Sequence, residues 1–204
     1  MMFSIIMPSY LGNYPNAAKN REEKIVRAVE SVLCQSFEDW ELIVIADGCE
    51  KTAKIIKPFV YEYLPKIRLL EIPKYKTWAG AVRNAGIFKA EGEIITYLDI
   101  DDYFGADHLK LINDGFAEYD WVFFNDMNYD GKKESWYENQ CGFQLGRCGT
   151  SNIAHKRSMG AYWTSNNYFH DFVMIGNLKG MSKNFTHIGR SEYYVAHIPN
   201  RYDI

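Results

Sequence analysis

No apolar run in this chain approaches the roughly 18 residues that a membrane-spanning helix needs, and the first run, residues 3–7, is too short and lacks the basic flank of a signal segment. Cysteine is sparse. The four present, Cys34, Cys49, Cys141 and Cys148, follow no CxxC spacing, which argues against a zinc site and for reduced thiols. Charge is nearly balanced, with a formal net of -3, so no broad electrostatic footprint exists for nucleic acid or an anionic membrane surface. Internal repeats and low-complexity linkers are absent too. These absences imply a soluble chain, expected in the cytoplasm, and 204 residues suit one core rather than two. Aromatics, by contrast, are plentiful at 16%, with 15 Tyr and 5 Trp, residues that fill cores and also line sugar and base sites.

Apolar runs at 3–7 and 41–46 read as buried strands, the first stopped by Pro8 and the second by Asp47-Gly48, and a third strand is expected at 67–72. Between them Ile25, Val26, Val29, Val32 and Leu33 form the stripe of an amphipathic helix, with Glu22 and Glu23 near its N-terminus. A second helical stretch spans 52–63 and is expected to break at Pro58. A third, 78–90, carries Ala79, Gly80, Ala81, Ala85 and Gly86 for close packing. Strands alternating with helices predict a mainly parallel, doubly wound sheet. Beyond residue 102, Leu109, Ile112 and Phe116 suggest a helix and 120–125 a strand. A loop or small hairpin over the site is expected at 126–149, a short strand at 152–155, a helix entered through His170-Asp171, and a last strand at 192–198.

The chemistry concentrates in Ile94-Ile95-Thr96-Tyr97-Leu98-Asp99-Ile100-Asp101-Asp102, an apolar strand ending on three carboxylates. Such a cluster must lie at or beyond the strand's C-terminal end, where open α/β sheets bind ligands. Carboxylates at i and i+2 can converge on one hard divalent cation that holds a diphosphate. The alternative is a polar turn in which Asp102 or Asp107 caps the next helix. Asp47 delivers a further acid to the same edge.

Several segments, in order, resemble the family 2 glycosyltransferases of the GT-A fold. They are Phe3-Ser4-Ile5-Ile6-Met7-Pro8-Ser9-Tyr10, the stretch from Ala28 through Gln35-Ser36-Phe37 to Val44, Arg83-Asn84-Ala85-Gly86, Gly92-Glu93-Ile94-Ile95, and Leu98-Asp99-Ile100-Asp101-Asp102. The resemblance covers about half the chain. It implies one GT-A domain over 1–204: a Rossmann-like, mainly parallel sheet flanked by helices, with 1–102 binding a nucleoside-diphosphate sugar and a short acceptor-side region at 103–204. The implied activity is metal-dependent, inverting transfer of one sugar to an acceptor hydroxyl.

The same resemblance assigns roles. Asp47 would accept a hydrogen bond from the nucleotide base, and Tyr10 would line or stack on it. Arg83 would lie near the phosphates. Asp99 would face the ribose or the metal's water shell, and Asp101 would bind the divalent ion, Mn2+ or Mg2+. Asp171, at the start of a late helix, is the candidate catalytic base, a position where it could equally cap the helix. His197 is the candidate third metal ligand, with a buried core histidine as the plainer reading. Asn152 and His155 are weaker candidates for acceptor binding.

The chain departs from the family pattern at Ala46, where a paired acid is usual, at Cys49, where Ser is usual, and in a longer loop at 10–24. The acceptor class stays open among glycan, lipid-linked, protein and small-molecule hydroxyls, with nucleic acid disfavoured by charge and peripheral membrane association left open. Two other functions compete: a non-catalytic nucleotide-sugar binder, and a nucleotidyltransferase, the latter weakened because Pro8-Ser9-Tyr10 stands where a Gly-rich basic phosphate loop would be.

Overall fold

The computed structural model of the chain describes residues 1–14, 17–76, 79–164 and 169–196. The first half alternates β1 (Phe3–Ser9), α1 (Arg21–Leu33), β2 (Trp40–Asp47), α2 (Glu50–Tyr63), β3 (Ile67–Ile72), α3 (Ala79–Lys89) and β4 (Ile94–Tyr97). The second half holds β5 (Tyr103–Phe104), α4 (His108–Phe116), β6 (Trp121–Phe124), β7 (Asp126–Asp130), β8 (Ser135–Asn139), β9 (Ile153–Lys156), α5 (His170–Met181), β10 (Phe185–Ile188) and β11 (Tyr193–Val195).

Seven strands form the main sheet in the order β10-β6-β9-β4-β1-β2-β3. β1, β2 and β4 are buried along their whole lengths, which is why their sequences are apolar on both faces. The alternation of a strand then splits the core. Ile5, Met7, Leu42, Val44 and Phe124 face one layer with Ile25, Val29 and Val32 of α1 and Leu109, Ile112 and Phe116 of α4. Ile6, Ile43, Ile45, Ile95 and Phe123 face the other, with Val82 of α3 and Met174, Ile175 and Leu178 of α5. Gly86 lets α3 settle on the sheet, because a Cβ there would stand 2.8 Å from both Ile6 and Ile45.

β1–β2, β2–β3, β1–β4 and β6–β10 pair in parallel, whereas β9 is antiparallel to both β4 and β6. The sheet is therefore mainly parallel with one reversed internal strand. A second sheet of four short strands, ordered β5-β11-β7-β8, grows from the turn after β4 and contains the β7–β8 hairpin expected at 126–149. β5 and β10 had no periodic signal in the sequence. Pro58 does not break α2, which runs unbroken past it. The proline lies on the exposed face, where water can satisfy the carbonyl left without a donor. Among the described residues, no helix is long and apolar enough to cross a membrane.

Candidate active site

The carboxyl ends of β1, β2, β4 and β6 lie on one edge of the main sheet, and because β9 is reversed its N-terminal end lies there as well. At the end of β2 the buried Asp47 accepts the Tyr75 N–H on Oδ1 at 2.6 Å and Lys74 Nζ on Oδ2 at 2.5 Å. Gly48 turns the chain out of the strand at φ +58, where a Cβ would come within 2.6 Å of the Lys74 backbone nitrogen. The same Lys74 ammonium stands 4.1 Å from the centre of the Tyr10 ring, and Tyr10 stacks on Tyr14 with centroids 6.4 Å apart. Arg21 fixes this loop by donating to the Tyr10 and Gly12 carbonyls, both at 2.8 Å.

Tyr14 leads to the acidic turn. Its phenol is pushed up by burial and by the negative charges of Asp101 and Asp99. Asp102 faces inward: its carboxylate accepts the Tyr193 hydroxyl at 3.0 Å and the Ala196 N–H at 2.8 Å. Tyr193 Oη in turn accepts the Asp99 N–H at 3.2 Å, so one side chain of β11 sets the shape of the turn. Burial raises the Asp102 carboxyl well above the usual carboxylate range, and the charges of Asp101 and Asp99 raise it further. Arg27 of α1 donates to the Asp101 carbonyl at 2.9 Å and lies 4.7 Å from the Tyr103 ring centre. Asp107 sits at the N-cap of α4 without capping it, accepting the Ser36 hydroxyl at 2.6 Å instead.

Arg83 connects this turn to α5. It is buried in α3, and its Nη2 donates to Asp99 Oδ1 at 2.7 Å. Its guanidinium lies 4.9 Å from the centre of the Trp163 ring. Trp163 is held by a reciprocal pair with Asn84, at 2.8 and 2.9 Å. Burial would lower the Arg83 pKa, but the charges of Asp99 and Asp171 more than compensate and raise it. Among the described residues, Arg83 Nε and Nη1 are buried without a hydrogen-bond partner.

Asp171 falls in the first turn of α5, with Phe169 rather than an acid at the N-cap. Its Oδ1 accepts the Thr150 hydroxyl and lies 3.1 Å from His170 Nδ1. Burial works to raise its pKa, yet the His170 contact, the Arg83 charge and the Thr150 hydrogen bond together hold it below the ordinary value. Asp171 is thus kept ionised and able to accept a proton.

Of the seven site residues expected from sequence, six fall in one continuous run along this edge: Asp47, Tyr10, Asp101, Asp99, Arg83 and Asp171. His197 lies outside the described residues. Asn152 and His155 do not reach the site surface. Asn152 is buried, donating to the Phe124 carbonyl and accepting the Gly149 N–H, and His155 is buried against the Tyr97 hydroxyl. Sequence reasoning missed Lys74, Trp163, Thr150 and Tyr193. Of these, Lys74 had a usable signal, because Pro73-Lys74-Tyr75-Lys76 follows a strand and so enters the ligand-bearing edge with two cations.

Among the described residues, no set of three His, Cys, Asp or Glu side chains is arranged to hold a metal ion by itself. The donors nevertheless fit a hard divalent ion completed by ligand oxygens and water. Asp99 and Asp101 offer carboxylates, and the negative charge they concentrate is large enough to raise the neighbouring Asp102 carboxyl.

A mixed α/β sheet with helices on both faces and an acidic turn at its carboxyl edge is the architecture of the GT-A glycosyltransferases. Residues 4–182 match the sequence profile of "Glycosyl transferase family 2", and the chain belongs to that family. It is 32% identical over 110 residues to the Escherichia coli UDP-Glc:alpha-D-GlcNAc-diphosphoundecaprenol beta-1,3-glucosyltransferase WfgD, covering 54% of this chain and 39% of that one. In fold it is similar to Staphylococcus aureus TarS 1-349 in complex with UDP-GlcNAc, with a TM-score of 0.73 at 17% identity, covering 96% of this chain and 58% of the other. It is also similar to the Pyrobaculum calidifontis mannosyltransferase PcManGT in complex with GDP-Man and Mn2+, with a TM-score of 0.71 at 14% identity, covering 98% and 57%. The chain spans between 32% and 40% of the length of the first curated relatives it matches.

Proposed function

We propose that residues 1–204 act as one unit that transfers a single sugar, with inversion, from a nucleoside-diphosphate sugar to an acceptor hydroxyl. The observation that carries this reading is Arg83: a buried, permanently charged guanidinium with two nitrogens unmet among the described residues, set between Asp99 and Asp171. Buried donors left unpaired are costly, by about 1–3 kcal/mol each. Diphosphate oxygens are the ligand chemistry that would satisfy them.

Asp47 and Tyr10 then receive the base, with Lys74 beside both. Asp99 and Asp101 would hold a divalent cation, which when bound neutralises charge on the departing diphosphate. Asp171 takes the acceptor proton as the hydroxyl oxygen attacks the anomeric carbon and the bond to the diphosphate oxygen breaks. WfgD's name, which specifies a diphosphoundecaprenol-linked sugar acceptor, makes a lipid-linked glycan the first acceptor class to try.

Thermal shift with UDP-, GDP-, dTDP- and CMP-sugars, with and without Mn2+, tests the donor site on the wild type, Arg83→Met and Asp101→Ala. At ligand about 100 times its Kd the folded state gains about 2.7 kcal/mol. The expected result is a rise for one nucleotide class that needs Mn2+ and is lost in both variants. A rise indifferent to Arg83 and Asp101 refutes the assignment.

A further inference from the structure

Next to this site, residues 141–148 reverse the chain. The Gly142 N–H donates to the Arg147 carbonyl at 3.1 Å, and the Arg147 N–H to the Gln144 carbonyl at 3.0 Å. The first of these bonds closes a turn between Gly142 and Arg147, so Cys141 and Cys148 flank its two ends. The Cys141 N–H donates to Asn125 Oδ1 at 2.9 Å, fixing that end of the turn against the residue after β6. A disulfide needs Cα atoms about 4.4–6.8 Å apart, a separation that residues flanking the two ends of such a turn can reach. Both thiols are free, and both pack against the same apolar cluster. The Cys141 thiol and burial together push the Cys148 thiol up, as expected for neighbouring sulfurs.

We propose that Cys141 and Cys148 form an oxidation site, a dithiol that a low-molecular-weight disulfide such as oxidised glutathione converts to an intrachain disulfide. The partly exposed Cys141, as thiolate, attacks one sulfur of the reagent and expels a glutathione thiolate. The Cys148 thiolate then attacks Cys141 Sγ in the mixed disulfide and expels the second. Two electrons and two protons leave the cysteines, and one oxidised glutathione becomes two reduced ones. Cys148 stands two residues before Thr150, whose hydroxyl holds Asp171, so the new bond tethers the segment that carries this contact. The oxidation chemistry is independent of the sugar-transfer reading; an effect on turnover rests on it.

The test is native incubation with oxidised glutathione, blocking of remaining thiols with N-ethylmaleimide, and tryptic mass spectrometry. Trypsin cuts after Arg147, separating peptide 134–147, which holds Cys141, from 148–156, which holds Cys148. The expected product is these two peptides joined, two hydrogens lighter than their sum and separated by reductant, with Cys34 and Cys49 carrying the blocking group or glutathione. Hydrogen exchange at 142–150 should slow in the oxidised protein. A stable glutathione adduct on Cys141 without the joined peptide, or joined peptide formed in denaturant alone, overturns the proposal.

Discussion

His155 allows a quantitative test of the sheet interior behind the site. Burial holds its imidazole down to about 4. The ring is neutral, with the Lys156 carbonyl 3.1 Å from Nδ1 and the Tyr97 hydroxyl 2.9 Å from Nε2. In the unfolded chain a histidine titrates near 6.5. As pH falls through that value, the unfolded state takes up a proton that the folded state refuses until pH nears 4. Stability is therefore lost on acidification across this window and is intact above it. From pH 7.5 to pH 5.0 the unfolded histidine titrates through about 1.5 units at about 1.4 kcal/mol per unit, a loss of about 2 kcal/mol. That is a large share of a typical net stability of about 5–15 kcal/mol. Asp102, whose raised carboxyl pKa acts in the opposite sense, complicates the wild-type curve alone. Comparing wild type with His155→Gln removes that complication, since Asp102 is common to both. Urea unfolding at the two pH values should show the wild type losing about 2 kcal/mol more than the variant. Equal losses, within about 0.5 kcal/mol, would refute the argument that this histidine is buried neutral.

Three further outcomes are expected. Thr150→Val removes one of the contacts that keep the Asp171 pKa low, so the acid limb of the pH profile for sugar transfer should move to higher pH, measured as kcat/KM against pH. Tyr193→Phe deletes the hydroxyl that joins Asp102 to the Asp99 N–H, and should cost about 1–3 kcal/mol in urea unfolding. Gly48→Ala puts a Cβ against the Lys74 backbone at a positive φ, and should weaken the nucleotide-sugar thermal shift more than it lowers the unliganded Tm.

The first hundred residues were legible because their signals are local. β1, β2 and β4 are largely apolar runs, α1 is an amphipathic stripe, α3 is marked by small residues, and the carboxylates sit where the apolar runs stop. Burial of Arg83 and its contact with Asp99 were not legible, since both depend on how α3 packs against β1, β2 and Trp163. β5, β10 and the reversed direction of β9 were equally hidden. Strands of two to four residues have too little sequence for a period, and direction leaves no compositional trace. Pro58 misled because a proline's effect depends on which face of the helix it occupies, which is settled by packing. Thr150 and Tyr193 carry common residue types whose importance comes from partners 21 and 91 positions away.

The reversed β9 also bears on how such a chain can diversify. In a parallel strand the residues that reach the ligand edge come after the strand, so a change there alters the path to the next element. In β9 they come before it: the chain passes the site at Thr150 and then enters the sheet between β4 and β6. The strand behaves like a peg pushed in from the working side, with its slot set by Ile94–Thr96 and Trp121–Phe123. The exposed tip at residues 144–147 can therefore be lengthened, shortened or re-sequenced while the peg stays seated, giving the approach to this edge a variable stretch beside the fixed strand.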